Sequence, residues 1–149
     1  MSQKYYKKSS YQKADPIIKI IELFFSIILL PFRIFFKNHY SKINRAKIKN
    51  SWYKIKLDLG EKTENGKRSA IIGADRLLDN TMKEIGYDGD KMAERLKSAK
   101  EKFSNYDAIW KAHIARNKIV HEENYYLSNQ DAIKHINNYQ KALKDLGAL

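Results

Sequence analysis

The chain has 149 residues, 43% of them apolar, which allows one modest domain with an appendage and excludes two full cores. Its net charge of +12 is uneven: residues 1–58 carry 13 Lys/Arg against 3 Asp/Glu, and residues 59–149 carry 16 against 14, so a basic N-terminal part precedes a near-neutral globular part. With no cysteine there is neither a disulfide framework nor a thiolate metal site, which fits a reducing compartment.

Residues 1–15 are mostly Lys, Tyr, Ser and Gln without periodicity, and predict a disordered basic arm. Asp15 as N-cap and Pro16 at the first helical position then open an apolar run, residues 16–37. Its apolar side chains are Ile17, Ile18, Ile20, Ile21, Leu23, Phe24, Phe25, Ile27, Ile28, Leu29, Leu30, Phe32, Ile34, Phe35 and Phe36. As a helix, about 20 such residues cover the roughly 30 Å of a bilayer interior. Lys19, Glu22, Ser26 and Arg33 stack on one narrow face, which also suits a helix lying in the interface, and Pro31 kinks it late. The expectation is a membrane anchor, spanning or in-plane, with the following domain at the cytoplasmic side. The opposing reading is a buried core helix.

Residues 38–60 continue as a basic juxtamembrane helix. Lys37, Lys42, Arg45, Lys47 and Lys49 alternate with aromatic and aliphatic residues, a pattern that meets anionic lipid headgroups beside a membrane or RNA phosphates on a free domain. Glu61 to Lys67, with Asn65-Gly66, reads as a polar turn. Ile71, Ala74, Leu78, Met82 and Ile85 then form the stripe of an amphipathic helix that Gly86 ends. Asp75 and Asp79 are four apart near Arg76 and Lys83, which predicts a solvated face rather than a metal site. Asp90 closes a turn and can cap a short helix carrying Met92, Leu96 and Ala99.

The next helix runs from Tyr106 to about His121. After it, Ser128-Asn129-Gln130-Asp131 resembles a capping box, and Ala132, Ile136, Tyr139, Leu143 and Leu146 repeat at helical spacing up to Gly147. No stretch alternates as a strand would. The fold class is therefore all-α: an antiparallel bundle of four to five helices over residues 61–149, its first helix starting near 44, behind the hydrophobic N-terminal helix.

The chemistry lies on the helix from Tyr106 to His121. Arg116, Asn117 and His121 bring a cation, an amide and an imidazole within six residues, in the form R-N-x-x-x-H. At 100° per residue, Ile109, Ala112, Arg116 and Val120 share one side, and Trp110, His113, Asn117 and His121 the next. Asn117 and His121 can touch, whereas Arg116 and His121 are about 140° apart and meet one ligand only if the helix end distorts or a second protomer completes the site.

This signature, the Asp75-Arg76-Leu77-Leu78 and Ile85-Gly86-Tyr87-Asp88-Gly89 elements and the downstream capped helix resemble the HEPN superfamily over about residues 44–149. Its members are small all-helical domains, many of them metal-independent ribonucleases in which two copies of this helix meet across a twofold. The resemblance implies a homodimer that cleaves RNA by attack of the 2′-hydroxyl on the neighbouring phosphate, with no metal or other cofactor. It implies His121 as the proton-transfer group, Arg116 on the scissile phosphate, and Asn117 orienting them; His113 is a candidate auxiliary that the motif does not demand. The competing reading is a membrane-tethered dimerisation or interaction module with an unknown protein partner. Arg116, Asn117 and His121 would then stabilise the helix, whose C-terminal dipole Arg116 and His121 complement, and the dimer. His39 and His135 stand alone and read as surface residues.

Overall fold

The computed structural model describes residues 43–149. The predicted arm, the apolar segment 16–37, Lys37, Lys42 and His39 lie outside the described residues. Among the described residues no helix is long and apolar enough to cross a membrane. The described part belongs to one compact unit, Asn38–Leu149.

It is all-helical: α1 (Arg45–Gly60), α2 (Glu64–Ile85), α3 (Met92–Ser98), a 3-10 turn (Lys100–Lys102), α4 (Tyr106–His121) and α5 (Asn129–Asp145). Each long helix starts where a side-chain oxygen takes an otherwise unpaired backbone N–H: Asn44 from Lys47, Thr63 from Gly66, Asn105 from Ala108 and Ser128 from Asp131. The capping oxygen of α3 comes from inside the helix. Glu94 Oε2 accepts from the N–H groups of Asp90 (2.7 Å) and Lys91 (3.3 Å), so Asp90 is not the cap its sequence position suggests. Those two hydrogen bonds hold the Glu94 carboxyl below its ordinary pKa.

The segment read as a polar turn is shorter than expected. Only residues 61–63 connect α1 to α2, and Asn65-Gly66 lies inside the first turn of α2. The reason is proximity: a Cβ on Gly66 would stand 2.4 Å from Asp58 O, so the glycine lets two helix ends approach rather than bending the chain. At the other end Gly86 adopts φ 93° and Gly147 φ 68°, each closing its helix in the left-handed conformation.

Helix α2 is the centre of the bundle, packed by α1, α3, α4 and α5. Its stripe Ile71, Ala74, Leu78 and Met82 is fully buried, against Ile48, Trp52 and Ile55 of α1, Ile109, Ala112 and Ile119 of α4, and Ile136, Tyr139 and Leu143 of α5. The basic helix before residue 61 is therefore a core helix that keeps Lys47 and Lys49 at the surface. The chain ends tucked in, with Ala148 and Leu146 fully buried and Gly147 O accepting from Arg45 Nε at 3.0 Å.

Candidate functional site

Helix α4 sets the site because its inner face is not purely apolar. Ile109, Ala112, Ala115 and Ile119 pack inward, and His113 goes in with them, only 8% exposed. A buried imidazole requires partners on both nitrogens. The first is Asp75, buried on α2, whose Oδ1 lies 2.8 Å from His113 Nδ1. The second is Asn117, one turn along α4, whose Nδ2 lies 3.3 Å from His113 Nε2.

The proton positions follow from the donors that have no choice. Arg116 can only donate, and its Nη1 lies 3.0 Å from Asn117 Oδ1, so that oxygen is the acceptor. The amide nitrogen of Asn117 must then face His113, and it can only donate. His113 Nε2 therefore carries the lone pair, Nδ1 carries the proton, and Asp75 accepts it as a carboxylate. The Tyr139 hydroxyl, fully buried on α5, donates to the same Asp75 oxygen at 2.9 Å. Arg116 Nε stands 3.3 Å from the other oxygen, Oδ2, as an ion pair without a well-aligned hydrogen bond. Burial first, then Asp75, pushes the Tyr139 phenol well above its ordinary pKa, so it stays a donor.

One carboxylate thus joins three helices and fixes the rotamers of His113 and Arg116. Outside it opens a cleft of about 560 Å³ between α2, α3 and α4, lined in part by Asp75, Arg76, Lys91, His113, Arg116 and Asn117. Its far wall is Arg95, buried and paired to both oxygens of Asp79 at 2.7 and 3.1 Å, and bonded also to Gly89 O. The Asp79 hydrogen bond raises the Arg95 pKa, so this pair is a fixed wall. With Asp75 paired to Arg116 and Asp79 to Arg95, the other charges lining the cleft are Arg76 and Lys91 against Asp90; Arg76 is exposed with no ion pair among the described residues, and the side chain of Arg116 is 29% exposed.

Of the residues singled out from sequence, Arg116, Asn117 and His113 are together. His121 is not: it is the exposed last residue of α4, outside the cleft, with no hydrogen bond to Asn117 or Arg116 among the described residues. The end of α4 is held instead by Arg68 of α2, whose Nη2 donates to Ile119 O at 2.6 Å and Nη1 to Tyr125 O at 3.1 Å. Val120, expected on the side of Ile109, is 47% exposed. His135 is half-buried with an unpartnered Nδ1, not a surface residue, and burial lowers its pKa.

Three members were not visible as site residues: Asp75, read as solvated; Tyr139, read as core; and Arg95. Asp75 carried a signal all the same. It falls four after Ile71 and three before Leu78, on the buried stripe, where a carboxylate must find donors. Among the described residues no group of three or more His, Cys, Asp or Glu could hold a metal ion. Comparison with protein-family models, curated proteins and solved structures finds no match.

Proposed function

We propose that this protein binds and cleaves RNA without a metal, as a homodimer tethered to a membrane by residues 16–37. The observation that carries the reading is Arg116. Its guanidinium is set in place by Asp75 and Asn117, its outer edge is open, and Arg76 stands unpaired on the same cleft. A preset guanidinium suits a phosphodiester, because its fork matches two phosphate oxygens and little side-chain entropy is left to lose, and Arg76 adds a second positive charge. His121 serves the cleft of a second copy. Ile114 and Val120, 41% and 47% exposed on either side of Asn117 and His121 around α4, are the apolar groups such an isologous contact covers.

The test is cleavage of an oligoribonucleotide by the purified full-length protein in EDTA, with Arg116→Gln and His121→Ala beside the wild type. Wild-type products with 2′,3′-cyclic phosphate ends, lost in both variants while melting temperature and dimer persist, support the reading. Intact RNA from a folded dimer rejects it. The membrane tether is checked by flotation with anionic vesicles, which a chain lacking residues 1–37 should lose.

A second reading has its own observation. Asp75, His113 and Tyr139 are all buried, and their hydrogen bonds join α2, α4 and α5. A non-catalytic interaction module would need that staple just as much, and variants of Arg116 would then lose fold or dimer.

A further inference from the structure

The geometry points to His113 as a second catalytic residue, the general base of the cleft, with Asp75 as its positioning residue. This rests on the RNA-cleaving reading and adds to it a group that the R-N-x-x-x-H pattern does not contain.

Cleavage by an internal nucleophile moves two protons. One leaves the 2′-hydroxyl as it attacks phosphorus, and one reaches the departing 5′-oxygen. Arg116 holds phosphate oxygens but cannot accept a proton at any working pH. Within one protomer the cleft offers a single neutral nitrogen lone pair, His113 Nε2. The opposite nitrogen is bound to a buried carboxylate, so the ring is held in the tautomer whose Nε2 lone pair meets Asn117 at the cleft wall, and the imidazolium formed on taking a proton has a counter-charge 2.8 Å away. Arg116 lies three residues along the same helix, and its outer edge opens on the same cleft, so the phosphate and the base share one volume.

The step balances. The ribose 2′-hydroxyl displaces the Asn117 amide at Nε2 and gives its proton to His113. O2′ forms a bond to phosphorus, the bond from phosphorus to O5′ breaks, and O5′ takes a proton from the His121 imidazolium of the second copy. Products are the 2′,3′-cyclic phosphate and a 5′-hydroxyl. His113 then returns its proton to solvent. In this scheme His113 is the base and His121 of the second copy the acid.

The experiment pairs kinetics with histidine NMR on the full-length protein in EDTA. Wild type, His113→Gln, His113→Asn, Asp75→Asn and His121→Ala are compared on an oligoribonucleotide, and binding is measured with its 2′-deoxy analogue, which lacks the attacking group. Expected is a loss of about 100-fold or more in kcat for both His113 variants, the usual worth of a positioned proton-transfer group, with 2′-deoxy binding unchanged. Asp75→Asn should lower kcat and move the His113 ring proton away from Nδ1; the same carboxylate holds Arg116, so KM should rise as well. In wild type the 15N spectrum should show Nδ1–H, with Nε2 shifting when the 2′-deoxy oligonucleotide is added. Wild-type kcat in either His113 variant, with cleavage abolished by His121→Ala, overturns the base assignment and leaves the RNA reading standing. An Nε2–H tautomer, or a His113 ring indifferent to the oligonucleotide, overturns it without any variant. Wild type that binds but does not cleave overturns both.

Discussion

Asp75 accepts a 2.8 Å hydrogen bond from His113, and that contact ties a carboxylate on the central helix to an imidazole 38 residues later on α4. The same oxygen accepts from Tyr139, 64 residues away on α5. Three helices therefore agree on one atom, and both the packing and the cleft depend on it.

Removing the carboxylate should cost far more than removing one of its donors. Asp75→Ala leaves Arg116 without a counter-charge and His113 Nδ1–H and the Tyr139 hydroxyl without an acceptor, a loss of about 3–5 kcal/mol in urea unfolding. Tyr139→Phe removes a hydroxyl and one hydrogen bond, worth about 1 kcal/mol. Equal losses from the two variants would show that the carboxylate is not the centre of the network.

Stability should fall at both ends of the pH range, each through a different residue. The pKa of His135 is lowered by burial, so the fold prefers its neutral form. That contribution is complete above the unfolded value near 6.5 and is lost as pH falls below it. His135→Leu should flatten the decline as pH falls below about 6.5. The raised Tyr139 pKa acts in the other direction: the fold retains the phenolic proton, so stability drops as pH rises above about 10, and Tyr139→Phe should lessen that drop. Parallel curves for variant and wild type would refute either assignment.

Two glycines should respond oppositely to alanine. Gly66→Ala drives a methyl into Asp58 O and should destabilise by about 1–3 kcal/mol. A Cβ on Gly60 meets nothing within 4 Å, and Gly60→Ala should stabilise the last turn of α1 by about 0.5–1 kcal/mol. Thermal melts of the pair check the sign.

Arg68→Ala should loosen the end of α4 without unfolding the bundle, because it removes the donors to Ile119 O and Tyr125 O. Amide exchange should quicken over residues 119–127 and stay slow in α2. On the RNA-cleaving reading, cleavage should fall with it, since His121 sits on that end. Uniform acceleration along the chain would mean that Arg68 supports the whole core.

Local chemistry was enough to read the helices. Periodicity marked Ile71 to Ile85 and Ala132 to Leu146, the left-handed glycines marked their ends, and the all-α class followed because both signals depend on neighbours within a turn or two. The R-N-x-x-x-H stretch was equally legible, and Arg116 and Asn117 do line one cleft. Tertiary structure alone decided the rest. Asp75 looked like a solvated carboxylate beside Arg76 and Asp79 because its donors, His113 and Tyr139, are 38 and 64 residues away. Gly66 looked like a turn because its constraint, Asp58 O, belongs to the helix before it. His113 and His121 share a face of α4, yet one is buried against Asp75 of α2 and the other exposed, because burial depends on what packs at that level of the helix and not on spacing along it.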